Sequence, residues 1–302
     1  MPTLFIANPA ANHGQNSALL TSLREQALRA QDTTWVETKF EKHATELAAR
    51  ACADGFDTVA AVGGDGTVHE TVNGLMHIEA SKRPSLGVIP IGTGNDFAMG
   101  SGLFTTDSNV ALQRVLNRTT SRAIDCAHVT DGMQKTEYWD NTLGIGFDAA
   151  ANLQAKSIKV VTGFAMYLLA VVRTIAQDFK ASRMRLSVDG EELARDILML
   201  TIGNGPREGG GFTCTPASIL DDGLLNFCMV EQLSRVQMIA LLPRVMNGTH
   251  VSDKHVTVGT FKKLHVQMDR HLPIHIDGEI FTFDIGNELE IEVIPAGLRV
   301  IV

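Results

Sequence analysis

The chain has 302 residues, of which 44% are hydrophobic, and a formal net charge of −8. This length predicts two domains, and this composition predicts a globular fold rather than a disordered chain. Because the surface is acidic and the sequence holds no cluster of lysines and arginines, we exclude nucleic acid as a partner.

The first third of the chain alternates predicted strands with predicted helices. Apolar runs of strand length are followed each time by a segment with helical spacing of its apolar residues. Such repeated βα units predict a parallel sheet with helices on both faces, that is, a doubly wound α/β domain. The predicted strands are 3–8, 34–40, 57–64 and 85–92, and the predicted helices are 17–31, 44–55, 67–77 and 107–118.

Strand-like segments dominate after residue 124, with helices predicted only around 148–178 and 234–247. This pattern predicts a β-rich second domain, a sandwich or a barrel-like sheet. We place the first domain at 1–124 and the second at 125–294, with 295–302 returning to the first. The predicted strands are 122–130, 135–146, 183–190, 196–205, 223–232, 261–268, 272–283 and 288–295.

The most apolar window, 160–172, is shorter than the roughly 20 residues that a transmembrane helix needs. We therefore expect no transmembrane segment. Flanked by Lys156, Lys159 and Arg173, this helix could lie at a membrane interface, or it could belong to the core.

Neither the N-terminus nor the cysteines indicate export. The N-terminal segment resembles a first strand rather than a signal peptide. The scattered cysteines form no CxxC pair, which indicates reduced thiols in a cytoplasmic protein: Cys52, Cys126, Cys214 and Cys228.

A glycine-rich turn, GGDGT at 63–67, joins the third predicted strand to the next helix. It is neither a P-loop nor a dinucleotide fingerprint, since His69 stands where the third glycine would be. Its N–H groups and the helix N-terminus would attract phosphate, but Asp65 would repel it unless a cation lay between them. The turn therefore predicts a nucleoside triphosphate bridged by Mg²⁺, with a plain turn capped by Asp65 as the alternative.

A second loop, PIGTGNDFA at 90–98, follows the next apolar strand and also opens a helix. Thr93, Asn95 and Asp96 place polar groups in this turn. Loops at the carboxyl ends of neighbouring parallel strands face one crevice, so the pair is much stronger evidence for a nucleotide site than either loop alone.

These two loops, with Asn8-Pro9 after the first strand, resemble the diacylglycerol kinase catalytic family, in its soluble bacterial lipid-kinase branch. The stretches 143–149, 203–225 and 275–279 are similar to family patterns in the same order, so the resemblance covers essentially the whole chain. GGDGT is shared with NAD kinases, whereas the second loop and the DDGLL stretch are typical of the lipid kinases. Sphingosine kinases are related.

The resemblance implies an NAD-kinase-like fold with an α/β nucleotide domain followed by a β-rich, sandwich-like domain. It also implies a lipid kinase that uses ATP and Mg²⁺ to phosphorylate a hydroxyl of diacylglycerol or a related lipid. The substrate would be taken from the membrane surface, with the protein cytoplasmic or peripheral at the inner face, and a homodimer is compatible with the family. The positions implied for ATP are Asn8, Thr38, Gly63, Gly64, Asp65, Gly66, Thr67, Thr93, Asn95 and Asp96, with Asp65 also a ligand of the catalytic Mg²⁺.

The DDGLL stretch of the second domain, at 221–225, is by itself a turn that enters a strand. By resemblance it holds a structural Mg²⁺ through the side chain of Asp222 and the carbonyls of Ile219 and Leu224. Oxygen ligands of this kind suit Mg²⁺.

The stretch HIDGE at 275–279 offers a pair of acids. Asp277 and Glu279 share a face if the segment is a strand, or flank a hairpin turn if Asp277-Gly278 reverses the chain. Phosphoryl transfer to a hydroxyl needs a carboxylate near the attacking oxygen, and the base proposed for the family corresponds to one of these two acids. We expect both to act as a pair, with Glu279 either accepting the proton or orienting Asp277.

Three other residues have less specific interpretations. His271 and His275 have the spacing of a metal pair on one strand face, but no third ligand is evident, so we expect solvated or packed histidines. Asp148 is expected to be structural.

Two other functions remain open from the sequence. A NAD-kinase-like enzyme would phosphorylate a soluble ribose hydroxyl, and a nucleotide sensor would keep the ATP site without transferring phosphate. The acids Asp65, Asp277 and Glu279 favour an enzyme over the sensor.

Overall fold

The computed structural model describes residues 2–118, 120–158, 161, 163–177, 179–281 and 287–302. They form two compact units: unit 1 is Met1–Cys126 with Pro295–Val302, and unit 2 is Ala127–Ile294. Lys159 and positions 160 and 162 of the apolar window lie outside the described residues, as do 178, 282 and 283 at the ends of predicted elements.

Unit 1 contains a parallel sheet of four strands, β1 (Thr3–Ala7), β2 (Thr33–Glu37), β3 (Thr58–Gly63) and β4 (Ser85–Pro90). Their order in the sheet is β2-β1-β3-β4. Strands β1 and β3 are buried along their whole length because they lie inside the sheet, as expected for continuous apolar runs. Next to β4, Val300 near the end of the chain pairs in parallel with Leu86.

The helices of unit 1 follow these strands, as the α/β pattern predicts. They are α1 (Ser17–Ala27), α2 (His43–Arg50), α3 (Asp65–Met76), α4 (Asp96–Gly100) and α5 (Ser108–Asn117). Helix α5 begins after Asp107, whose carboxylate accepts the N–H groups of Asn109 and Val110. Helices α1 and α5 bury Leu23 and Leu112 in the same apolar cluster as the sheet residues.

The remaining strands are β5 (Ser121–Asp131), β6 (Thr136–Trp139), β7 (Thr142–Gly146), β8 (Ser182–Val188), β9 (Glu191–Gly203), β10 (Leu225–Glu231), β11 (Val256–Phe261), β12 (Lys263–Met268), β13 (Ile274–Ile276), β14 (Glu279–Phe281) and β15 (Glu288–Ile301). Strands β5 and β15 contribute residues to both units. Unit 2 is built on an antiparallel sheet in which β9 pairs with β7, β8 and β10. Its core contains the buried Trp139, Leu200 and Phe261.

Helices α6 (Phe147–Ser157), α7 (Gly163–Ala176) and α8 (Arg235–Met246) belong to unit 2 and contribute to a second apolar cluster. Helix α7 contains residues 163–172 of the apolar window, and its buried face belongs to the core, including Val171 and Ile175. Within the described ranges, every helix is too short or too polar to span a membrane.

Two predicted strands are wrong as single elements. The segment 135–146 is two strands, β6 and β7, because the carboxylate of Asp277 accepts the N–H groups of Asp140, Asn141 and Thr142 at the break. The described part of 272–283, which ends at Phe281, contains a hairpin. Ile276 pairs with Glu279, and Asp277 and Gly278 form the turn with φ of 49° and 82°. Two positive φ angles fit an Asp-Gly hairpin turn, so the interpretation as one strand face is wrong.

Candidate active site

The residues assigned to ATP lie at the carboxyl ends of β1–β4, where ligands bind in open α/β sheets. Hydrogen bonds join neighbouring strand ends. The N–H of Thr38 donates to Ala7 O (2.8 Å), and the N–H of Asn8 donates to Val62 O (2.9 Å). Asn8 Nδ2 also donates to Thr67 Oγ1 (3.1 Å), which joins the end of β1 to the start of α3.

The two glycine-rich loops touch backbone to backbone. A Cβ atom on Gly92 would lie 2.4 Å from Gly64 Cα, and one on Gly63 would lie 2.2 Å from Thr67 Oγ1. Only residues without a side chain allow this approach. The expected convergence of the two loops is therefore present within unit 1.

Asp65 and Asp96 border the same glycine. A Cβ atom on Gly94 would lie 3.0 Å from Asp65 Oδ2 and 3.4 Å from Asp96 Oδ2. Asp65 Oδ1 accepts the N–H of Phe97 (3.1 Å), and the N-cap of α3 is Gly64, so the interpretation of Asp65 as the helix cap is wrong. The two neighbouring carboxylates of Asp65 and Asp96 supply oxygen ligands of the kind that Mg²⁺ prefers.

Asn95 shapes the second loop. With a φ of 51°, its Nδ2 donates to Gly92 O (2.9 Å) and its Oδ1 accepts the N–H of Gly92 (3.0 Å). Thr93 is exposed at the tip of this loop, and Gly66 is partly buried in the first turn of α3.

The acids of the β13–β14 hairpin do not converge. Asp277 is buried, and its carboxylate accepts N–H groups at 3.2, 3.0 and 3.0 Å. The Glu279 side chain is 57% exposed and pairs with Lys156 Nζ at 2.9 Å. The structure thus gives the two carboxylates different surroundings, one backbone-bound and one at the surface.

The DDGLL stretch forms a turn in the structure. Asp222 is exposed, and its Oδ1 accepts the N–H of Leu224 (3.0 Å) across Gly223, whose φ is 74°. The Ile219 side chain is exposed. This arrangement explains the turn without any metal.

A buried polar cluster in unit 2 was not predicted from the sequence. His275 Nε2 lies 3.8 Å from Asp148 Oδ2 and 3.6 Å from Glu208 Oε2. Burial raises the pKa of Glu208. Burial opposes protonation of His275, but the carboxylates of Asp148 and Glu208 prevail and raise its pKa. Glu208 carried no sequence signal, because only the tertiary fold brings its loop to β13.

An apolar cavity lies against this cluster, among α6, α7, α8 and the sheet of unit 2. It contains about 630 Å³ of empty space, counting its open mouth, and its lining includes Phe147, Val171, Phe212 and Leu241. The charged residues in its lining are Asp148 and Glu208. The sequence could not reveal it, since its walls come from distant segments.

Comparison with known families agrees with this architecture. Residues 2–129 match the diacylglycerol kinase catalytic domain, and residues 141–302 match the YegS C-terminal NAD kinase beta sandwich-like domain. Fold and loops thus define a two-domain kinase with an NAD-kinase-like fold. The chain belongs to the diacylglycerol kinase family, in the group with the YegS-type second domain.

Similar proteins span nearly the whole chain. A diacylglycerol kinase of Mycobacterium tuberculosis strain H37Rv is 30% identical over 98% of this chain and 93% of its own length. A protein named "Probable lipid kinase YegS-like" from Yersinia enterocolitica is 30% identical over 98% of this chain and 95% of its own.

Solved structures share the fold. A diacylglycerol kinase from Bacillus anthracis superposes with a TM-score of 0.72 at 21% identity, covering 99% of this chain and 96% of that one. Yeast NADH kinase complexed with NADH superposes with a TM-score of 0.53 at 10% identity, covering 99% and 82%.

Proposed function

We propose that this protein is an ATP- and Mg²⁺-dependent lipid kinase that transfers the γ-phosphate of ATP to a hydroxyl of diacylglycerol or a related lipid. The observation that carries the proposal is the contact between the two glycine-rich loops, with the carboxylates of Asp65 and Asp96 both next to Gly94. In a member of this family, such a pair of loops at the ends of parallel strands suits a nucleotide and its metal.

The loops would hold the triphosphate through the backbone. The close approach of Gly92 to Gly64 brings the two loops together with no side chain between their backbones. The N-terminus of α3 adds partial positive charge. Asp65 and Asp96 would hold the catalytic Mg²⁺, which neutralises phosphate charge when bound. A second, structural Mg²⁺ would be held by Asp222 with the carbonyls of Ile219 and Leu224.

We assign the proton acceptor to Glu279 and a positioning role to Asp277. The Asp277 carboxylate already accepts three backbone N–H groups, so it fixes the turn that presents Glu279. Glu279 is at the surface, where a substrate hydroxyl can reach it, and Lys156 orients it. A carboxylate within hydrogen-bond reach of the attacking hydroxyl is what this step requires.

Substituting Glu279→Gln tests this assignment. We expect kcat to fall by about 10²–10⁴-fold, the usual contribution of a general base, with unchanged ATP affinity. Glu191→Gln, an exposed acid at the start of β9, is the control. A Glu279→Gln enzyme that turns over like the wild type would show that Glu279 is not the base.

The cavity of unit 2 would bind an acyl chain of the acceptor. Its lining is predominantly apolar, as in most small-ligand sites, and suits a hydrocarbon chain. Helix α8 lines it through Met238 and Leu241 and exposes Val236 (77%) and Ile239 (55%) on its other side. An exposed apolar pair on a cavity wall fits a protein that works at the membrane surface.

The function is tested by the transfer of ³²P from [γ-³²P]ATP and Mg²⁺ to lipids in mixed micelles. The acceptors are diacylglycerol, monoacylglycerol, phosphatidylglycerol, sphingosine and ceramide, with NAD in a separate aqueous reaction. Label in an organic-extractable product supports the lipid kinase and identifies its substrate. Label in NAD alone would contradict the proposed acceptor, and ATP binding without any transfer would indicate a sensor.

A further inference from the structure

The buried polar cluster of unit 2 consists of Asp148, Glu208 and His275. Asp148 and Glu208 line the cavity, but none of the three has a role in the phosphoryl transfer proposed above. The cluster's members come from the first turn of α6, the loop after β9 and strand β13. Their relative exposures are 7%, 9% and 2%. Three buried ionisable groups are costly unless something compensates their charge.

The separations within the cluster are too long for hydrogen bonds. The two contacts of His275 Nε2 measure 3.6 and 3.8 Å, and the three ligand atoms all lie within 4.8 Å of one another. Among the described residues, Glu208 Oε2 and His275 Nδ1 have no hydrogen-bond partner. The two carboxylates and the imidazole therefore face a common space between them and form no hydrogen bonds with each other.

The space between these groups is kept open by a glycine. A Cβ atom on Gly144 would lie 2.3 Å from both Asp148 Oδ2 and His275 Nε2. Any other residue at this position would fill the gap. The need for glycine at position 144 supports a ligand-binding space independently of the charges around it.

Neighbouring donors fix the orientation of both carboxylates. Thr201 Oγ1 donates to Asp148 Oδ2 (2.5 Å), and the N–H of Ala149 donates to Asp148 Oδ1 (2.8 Å). Cys214 Sγ donates to Glu208 Oε1 (3.1 Å), which leaves Oε2 directed at His275. Contacts of this kind orient the ligands of metal sites.

We propose that Asp148 Oδ2, Glu208 Oε2 and His275 Nε2 bind a divalent transition metal, Zn²⁺ or a similar ion. Metal–ligand distances of about 2.0–2.2 Å place tetrahedral ligands roughly 3.3–3.6 Å apart, close to the separations seen here. Two carboxylates neutralise a divalent ion, and an imidazole favours zinc over magnesium. The site is distinct from both magnesium positions of the proposed function.

The test is metal binding by the full-length protein, which does not depend on kinase activity. After treatment with EDTA and its removal, ZnCl₂ is titrated in by calorimetry, and CoCl₂ is followed by visible absorption. We expect one ion per chain and a metal-dependent rise in Tm. Cobalt should give ligand-field bands without a strong thiolate band, because Cys214 is not a ligand.

Two ligand variants and a control complete the test. Glu208→Gln and His275→Gln should weaken zinc binding by at least about 10²-fold, the upper range for changes in the surroundings of a metal site. His271→Gln, which removes an exposed histidine of the same segment, should bind zinc like the wild type. Unchanged binding in both ligand variants would overturn the proposal. So would a wild-type protein that binds no zinc, a result that needs no variant to fold.

Discussion

Gly92 is the residue through which the two phosphate loops make backbone contact. Substituting Gly92→Ala would place a Cβ atom 2.4 Å from Gly64 Cα, a backbone atom that cannot turn aside. We expect a loss of about 1–3 kcal/mol in the free energy of unfolding, as for other overpacked sites, and weaker ATP binding. Urea denaturation and calorimetry measure the two effects.

Gly132→Ala is the matched control, because a Cβ atom there meets nothing within 4 Å. It should leave both quantities unchanged. Wild-type ATP affinity in Gly92→Ala would mean that the loop contact does not shape the nucleotide site.

His250 makes stability depend on pH. It is buried, its Nε2 contacts Cys214 O at 3.0 Å, and burial lowers its pKa below the ordinary 6.5. In the unfolded chain the imidazole is protonated below about pH 6.5, whereas in the folded protein its protonation requires a lower pH. The stabilisation is therefore complete above that pH and is lost as the pH falls towards the folded pKa.

We expect urea unfolding at pH 7.5, 6.0 and 5.0 to show a steeper loss of stability in the wild type than in His250→Gln. The exposed His271→Gln serves as control and should follow the wild type. Equal pH dependence in wild type and His250→Gln would refute this assignment.

Helix α6 supports the hairpin that carries the candidate base. Asp148, Asn152 and Lys156 are four residues apart and therefore share one helix face. Asp148 lies 3.8 Å from His275, Asn152 Nδ2 donates to Gly278 O (2.9 Å), and Lys156 pairs with Glu279. Neighbouring positions of α6, Phe147 and Ala151, line the cavity.

Removing the hydrogen bond between Asn152 and Gly278 tests whether α6 positions the hairpin. Asn152→Ala should lower kcat several-fold without changing ATP affinity, and should cost about 0.5–1.5 kcal/mol of stability. The exposed neighbour Leu153→Ala is the control. An unchanged kcat in Asn152→Ala, measured by labelled transfer, would limit α6 to a structural role.

The exposed apolar pair of α8 predicts membrane binding. Replacing Val236 and Ile239 together by aspartate should abolish cosedimentation with anionic phospholipid vesicles, because charge on that face opposes insertion. Val258→Asp, at an exposed apolar position on β11, should cosediment like the wild type. Unaltered binding of the double variant would place the membrane contact elsewhere.

At the scale of elements, local pattern predicted the strands and helices of unit 1 well, because each apolar run is followed by a helix with clear spacing. It failed at 135–146, where the break at Asp140 depends on a carboxylate far along the chain at Asp277. The hairpin at Asp277-Gly278 was one of two alternatives left open, because this sequence is compatible both with a continuous strand and with a turn.

For the whole molecule, the two-domain NAD-kinase-like fold and the family followed from short motifs, and both are confirmed. The loops at 63–67 and 90–98 were predictable because parallel strands bring their carboxyl ends together. The cavity and the Asp148–Glu208–His275 cluster were not, because their parts meet only through tertiary packing. The roles of the individual site residues remain predictions.

Asp65 should tolerate the triphosphate of ATP because Mg²⁺ is expected to bind between them. Calorimetric titration of ATP, with Mg²⁺ and with EDTA, into the wild type and Asp65→Asn tests this bridge. We predict that Mg²⁺ strengthens ATP binding markedly in the wild type and scarcely in Asp65→Asn. If the ATP affinity of Asp65→Asn responds to Mg²⁺ as that of the wild type does, Mg²⁺ is not bound through Asp65.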